Sequence, residues 1–214
     1  EAIAALMDAD GVRVIVPLWR DDPGNNGLHD ATQHSFTTLG GVVLSGVRYS
    51  ATTQDFSALV ADLATQLVAA RAQYGKDAVE VYLAAFDEAA TIFTPASQNA
   101  TLSAVRWYGS DGTALSSVLL NDPVAAAFAN SVGYPNPLFG LEAAATTKWQ
   151  PIAQRIQQKT GNVPESFALG IYDAVWVIAK TLASHRGKVR VEVFKQAFPK
   201  EASFFFGTTG WTVL

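Results

Sequence analysis

Hydrophobic and polar positions alternate between two periods along the first half of the chain. Val12-Arg13-Val14-Ile15-Val16 is a short β-branched run between Gly11 and Pro17, suited to a buried parallel strand. A loop rich in Asp, Pro, Gly and Asn is predicted from Arg20 to Gly27. Leu28, Ala31, Ser35, Phe36 and Leu39 then fall at helical spacing up to Gly40-Gly41. Val42-Val43-Leu44 begins a second strand, and Tyr49 to Thr53 is a polar connection. From Asp55, Phe56, Leu59, Val60, Leu63, Leu67, Ala70 and Tyr74 make one 3.6-residue stripe ending at Gly75. Residues 78–83 predict a third strand, 88–98 a helix, and 102–108 a fourth strand. Such alternation builds right-handed βαβ units. The expected class is α/β: a doubly wound parallel sheet with helices on both faces.

Beyond residue 121 the period stays helical. Asp122-Pro123 starts a short Ala-rich helix, and Tyr134-Pro135-Asn136-Pro137 is extended. Helices are predicted at about 146–160, about 165–184 and near 190–198, followed by a β-like tail at 203–214. The second carries Leu169, Tyr172, Val175, Trp176, Ala179 and Leu182 along one stripe, with Tyr172 and Trp176 read as core. Glu1 to Met7 reads as the end of a helix entering a strand, and Trp211-Thr212-Val213-Leu214 as a strand cut short.

The 214 residues are 49% hydrophobic and 16% charged, which supports a packed core rather than disorder. No run of 18 apolar residues is present, so no membrane span is expected. The net charge is −4 with scattered Lys and Arg, and no basic face for nucleic acid stands out. The absence of cysteine excludes disulfides, thiolate metal sites and Cys nucleophiles. His29, His34 and His185 do not cluster, so no metal site is expected.

Ligands of open parallel sheets bind beyond the carboxyl ends of the strands. Those positions hold Trp19, Arg20, Asp21, Asp22 and Pro23, then Phe86, Asp87 and Glu88, then Ser110, Asp111, Gly112 and Thr113. An aromatic face with carboxylates suits a ligand with a cationic head and a modest apolar body. Plainer readings stand beside this one: Asp111 as turn chemistry, Trp19 as a hinge residue, Asp21 and Asp22 as solvated charges, Phe86 as core. Gly24-Asn25-Asn26-Gly27 before a helix is a weak anion-site signal. No nucleophile elbow or phosphate loop is present.

Four passages resemble the type I periplasmic binding proteins, in particular the branched-chain amino-acid (Leu/Ile/Val-type) receptors of ABC transporters. They are Val14-Ile15-Val16-Pro17 with the loop to Gly27-Leu28; Arg48-Tyr49 with Asp55-Phe56-Ser57; Trp107-Tyr108-Gly109-Ser110-Asp111-Gly112; and Tyr172-Asp173-Ala174-Val175 with Phe206-Gly207-Thr208-Thr209-Gly210. The resemblance implies a two-lobed extracytoplasmic receptor, periplasmic or extracellular, for an amino acid or amide-like small molecule. It implies ABC-transporter membrane subunits as partners, no cofactor, no metal and no catalysis. Residues 11–140 are then the C-terminal ligand-binding lobe, and 141–200 the return helices of an incomplete N-terminal lobe. Residues 201–214 become a strand crossing back, and the chain a fragment lacking its N-terminal segment, which leaves room for a lipid anchor there. Asp111 matches the residue that holds the ligand's amino group, and Phe86 an aromatic wall. The implied contact set is Trp19, Asp22, Phe86, Asp87, Ser110 and Asp111. Where relatives can place an aromatic, this chain has Asp22-Pro23-Gly24, so Trp19 is the substitute and the ligand class stays open. A ligand-sensing domain of a signalling protein and an α/β hydrolase-type enzyme are the competing readings.

Overall fold

Successive side chains of β1 (Val14–Asp21) enter two different cores. Val14, Val16 and Leu18 join one apolar cluster, while Ile15 joins another. Period-two alternation with burial on both sides means a sheet covered on both faces. The computed structural model describes residues 1–164, 166–185 and 190–211. It divides into two units, Glu1–Leu138 and Phe139–Leu214.

The first unit opens with α1 (Ala2–Ala9) and continues through β1, α2 (Pro23–Thr38), β2 (Val42–Val43), β3 (Val47–Ser50), α3 (Ser57–Tyr74) and β4 (Val79–Ala84). It then runs through α4 (Ala89–Ser97), α5 (Ala100–Ser103), β5 (Trp107–Gly109), α6 (Ser117–Asn121) and α7 (Pro123–Ser131). Strand order is β2-β1-β4-β5, every pair is parallel, and β3 pairs further along β1. Ile3, Ala4 and Met7 of α1 and Phe36 of α2 pack with Ile15, Tyr82 and Tyr108 on one face. Val60, Leu63 and Leu67 of α3, Phe93 of α4 and Phe128 of α7 pack with Val81, Leu83 and Trp107 on the other. The expected doubly wound parallel sheet is present.

Three boundaries differ from the sequence reading, each for a local reason. β1 does not stop at Pro17. The carbonyls of Arg13 and Ile15 accept from Val42 and Leu44, so residue 17 faces the same neighbouring strand. Lacking an N–H, Pro17 interrupts that ladder, which breaks into β2 and β3. Gly46 crosses the break at φ +63°, where a Cβ would come within 2.5 Å of the Pro17 ring. The connection read at Tyr49 is therefore strand. The loop read up to Gly27 is helix from Pro23, because Asp22 caps it: its carboxylate accepts from the backbone of Gly24 (2.9 Å) and Asn25 (3.0 Å). That carboxylate also fills the helix N-terminus that the glycine-rich stretch offered to an anion. Lastly, residues 102–106 are not strand. The Asn99 side chain accepts from Thr101 and Leu102 backbone N–H groups and caps α5, leaving β5 only three residues.

Beyond α7 the chain runs beside β5 as expected for an extended segment. Trp107 N–H donates to Val132 and Gly109 N–H to Pro135. Pro135 and Pro137 have no N–H to return.

The second unit holds α8 (Thr146–Thr160), α9 (Ser166–Ser184) and α10 (Val191–Ser203), then an antiparallel bridge between Phe206 and Trp211. The β-like tail is helix up to Ser203 and a single bridge after it; Thr212, Val213 and Leu214 lie outside the described residues. Gly161 ends α8 at φ +78°, a left-handed C-cap. The buried stripe of α9 is Leu169, Asp173, Val177 and Thr181, and Trp176 is 47% exposed rather than core. Phe167, Ile171, Val175 and Ile178 form a second, exposed apolar face. With apolar residues on both sides, α9 is long and apolar enough to cross a membrane, at mean hydropathy 1.3. Only 22% of that apolar window is buried, and its buried side includes Asp173. The carboxylate accepts from the backbone N–H and hydroxyl of both Thr208 and Thr209, at 2.7–2.9 Å. That explains why Tyr172-Asp173 and Gly207-Thr208-Thr209 occur together.

Candidate functional site

The carboxyl ends of β1, β3, β4 and β5 gather the first unit's strand-end residues at one edge of the sheet, as parallel pairing requires. At the end of β1, the Trp19 indole N–H donates to Asn26 Oδ1 (3.0 Å), and the ring stacks on His29 at 4.1 Å. Trp19 is thus held against α2. Arg20 places its Nε 2.9 Å from Asp22 Oδ2 and its Nη1 3.5 Å from Glu88 Oε2, with the guanidinium over the Phe86 ring. Asp21 pairs with Arg48 and accepts from Asn26 (3.1 Å); these hydrogen bonds, from Asn26 and then Arg48, lower its pKa. Burial alone would raise Asp22. The Asn25 and Gly24 hydrogen bonds and the Arg20 charge outweigh it, and the pKa is lowered.

The ends of β4 and β5 are tied together. Ser110 is buried and its Oγ reaches the Ala85 carbonyl at 3.5 Å. Ser116 Oγ donates to Asp87 Oδ1 at 2.7 Å. Thr113 Oγ1 donates to the Ser110 carbonyl, closing the turn that carries Asp111. Gly112 lies flat against Phe86: a Cβ there would come within 2.8 Å of the ring and 2.5 Å of the Ala85 carbonyl. Phe86, 39% exposed, is therefore a wall beside the Asp111 turn. Asp111 makes no side-chain hydrogen bond or ion pair among the described residues. The Tyr82 phenol is pushed up to about 12, mainly by burial, with the Asp111 charge adding to it.

Of the six residues expected to contact ligand, Phe86, Asp87, Ser110 and Asp111 are brought together. Trp19 and Asp22 are engaged with α2, one as a stacked and hydrogen-bonded ring, the other as the cap. A further group stood among the strand-end residues in the sequence but outside the expected contact set. Glu88 accepts from the buried Tyr49 hydroxyl at 3.0 Å as well as facing Arg20. Its signal was the Val47-Arg48-Tyr49 alternation, which turns Tyr49 inward. The unit carries fourteen Asp and Glu against six Lys and Arg, net −8, while residues 139–214 carry five against nine, net +4. Among the described residues no cluster of three or more His, Cys, Asp or Glu is arranged to hold a metal.

No family model matches the chain. An uncharacterised protein of Methanocaldococcus jannaschii is 26% identical over 187 residues, covering 87% of this chain and 42% of its own length. Among solved structures, a leucine-binding protein of Thermotoga maritima superposes with TM-score 0.65 at 18% identity, over 99% of this chain and 57% of its own. A fatty acid ABC-transporter substrate-binding protein from Thermomonospora curvata superposes with TM-score 0.67 at 19% identity, over 99% of this chain and 53% of its own. The chain spans about half the length of the proteins it matches. These likenesses show the fold, that of the type I periplasmic binding proteins.

Proposed function

We propose that these residues are the ligand-contacting part of an extracytoplasmic solute receptor, periplasmic or extracellular. It captures an amino acid or related small polar molecule and hands it to the membrane subunits of an ABC transporter. The observation that carries the reading is the free Asp111 carboxylate, fixed at the end of β5 beside the Phe86 wall. A ligand ammonium pairs with Asp111, and the ligand body lies on Phe86, where dispersion and the ring quadrupole both favour it. Ser110 and Asp87 act one step back: Ser110 anchors the turn to β4, and Asp87 holds the following loop through Ser116. Trp19 and Asp22 position the β1 loop through α2. Binding rather than catalysis is the proposed role.

The test is calorimetric titration of the full-length protein with a panel of amino acids and amides. Asp111→Asn should weaken an ammonium-bearing ligand by about 2–5 kcal/mol. Undiminished binding by that variant would remove Asp111 from the site.

A further inference from the structure

Taking the Asp111 rim as the ligand site, we infer that the ligand carries a second cationic nitrogen, received by Glu88 in the polar pocket that Arg20 and Tyr49 line. The ligand class is then a basic amino acid or a diamine rather than a plain aliphatic amino acid.

A pocket of about 150 Å³ opens between Arg20, Tyr49, Ser50, Gln54, Glu88 and Thr91. It has room for about five waters, or one aminoalkyl or guanidinium group. Hydroxyls, an amide and charged groups make up most of its lining, with Ala51 and Phe56 beside them. The Glu88 side chain is only 20% exposed, and a carboxylate taken that far from water needs compensation. It has little. Tyr49 supplies one hydroxyl. Burial and the Glu88 charge both raise the Tyr49 pKa, so that proton stays in place as a donor. Arg20 stands at 3.5 Å from Glu88, but it is closer to Asp22, at 2.9 Å. One guanidinium between two carboxylates leaves one negative charge over.

Arg20 lies over the Phe86 ring, with its Nε 2.9 Å from the Asp22 carboxylate. The other cation of this edge, Arg48, is paired with Asp21. Each of the two arginines of this edge thus stands beside a carboxylate, within a unit of net charge −8 that draws cations over longer range. Phe86 touches both ends of this arrangement: Gly112 of the Asp111 turn packs on the ring, and Arg20 of the Glu88 pocket lies over it. A flexible methylene chain crossing Phe86 joins a nitrogen at Asp111 to a nitrogen at Glu88.

The experiment is calorimetric titration of the full-length protein with L-lysine, putrescine and L-leucine, for the unmodified chain and the variants Glu88→Gln, Ser50→Lys and Asp111→Asn. Lysine or putrescine should bind at least tenfold more tightly than leucine. Glu88→Gln should erase that preference while changing leucine affinity less than twofold. Ser50→Lys, which places an ammonium of the protein's own in the pocket, should do the same, and it decides the matter if Glu88→Gln fails to fold. Asp111→Asn should weaken all three. Leucine binding as tightly as lysine, or the two pocket variants weakening every ligand equally, overturns the second cationic subsite while the receptor reading stands. Titration of none of the three, with amides and aromatic acids also silent, overturns both.

Discussion

The guanidinium carbon of Arg20 lies 5.1 Å from the centre of the Phe86 ring, while the same group bridges Asp22 and Glu88. One side chain thus fixes the aromatic wall, the α2 cap and the polar pocket together. Arg20→Ala leaves two largely buried carboxylates without their cation. A loss of about 1–2 kcal/mol is expected, less than for a fully buried pair because the group keeps some water contact. Arg20→Lys should fall between, since an ammonium cannot fork to two carboxylates and stack at once. Urea midpoints measure this, and an unchanged midpoint for Arg20→Ala would show that the pairing is energetically idle.

Gly112→Ala separates geometry from charge at the same edge. The new methyl meets the Ala85 carbonyl and the Phe86 ring, so the Asp111 turn must lift. Stability should fall by about 1–3 kcal/mol. Asp111→Asn, which breaks no hydrogen bond among the described residues, should stay within about 0.5 kcal/mol of the parent. Thermal unfolding of the pair distinguishes a turn held by packing from one held by the carboxylate.

Asp173 anchors residues 207–209 to α9 through four hydrogen bonds. Asp173→Ala should cost about 3 kcal/mol by leaving buried donors unpaired. Asp173→Asn should cost nearly as much, because its amide NH₂ faces N–H and O–H donors. Amide hydrogen exchange at Thr208 and Thr209 should accelerate in both variants.

Glu80 responds to pH in the opposite sense from Asp21 and Asp22. Burial raises it from 4.5 to about 7, against the lowering effects of the Arg106 N–H and of the Arg71 and Arg106 charges. A carboxyl raised in the fold contributes stability that is complete below pH 4.5 and lost as pH climbs through about 7. Partly open to solvent, it should account for about 1 kcal/mol. Glu80→Gln should flatten that part of the profile, so the variant gains on the parent as pH rises from 4.5 to 7. Equal slopes for both proteins would show that Glu80 ionises freely in the fold.

Where the hydrophobic period ran long and unbroken, sequence and structure agree: α3 ends at Tyr74 before Gly75, and α8 covers Thr146–Thr160. Phe86 and Asp111 were legible as strand-end residues because an open parallel sheet puts its carboxyl ends on one side. The misreadings arose where a single side chain overrides the period. Asp22 extends α2 backwards, Asn99 turns an apparent strand into a helical turn, and Pro17 cuts a neighbouring strand without cutting its own. The Glu88 pocket was not legible, because Tyr49 and Glu88 are 39 residues apart and meet only once β3 and β4 flank β1.

The Pro17 break has a bearing on colloidal behaviour. A parallel sheet exposes one row of unpaired peptide groups at each margin, and such rows recruit other chains. Here the β2–β3 margin is split at Gly46, so no stranger finds more than a few consecutive partners there. At the opposite margin Pro135 and Pro137 withhold their donors. Both flanks of the sheet are thereby poor templates for amyloid-like growth, and a Pro17→Val exchange that let β2 and β3 fuse would restore one of them.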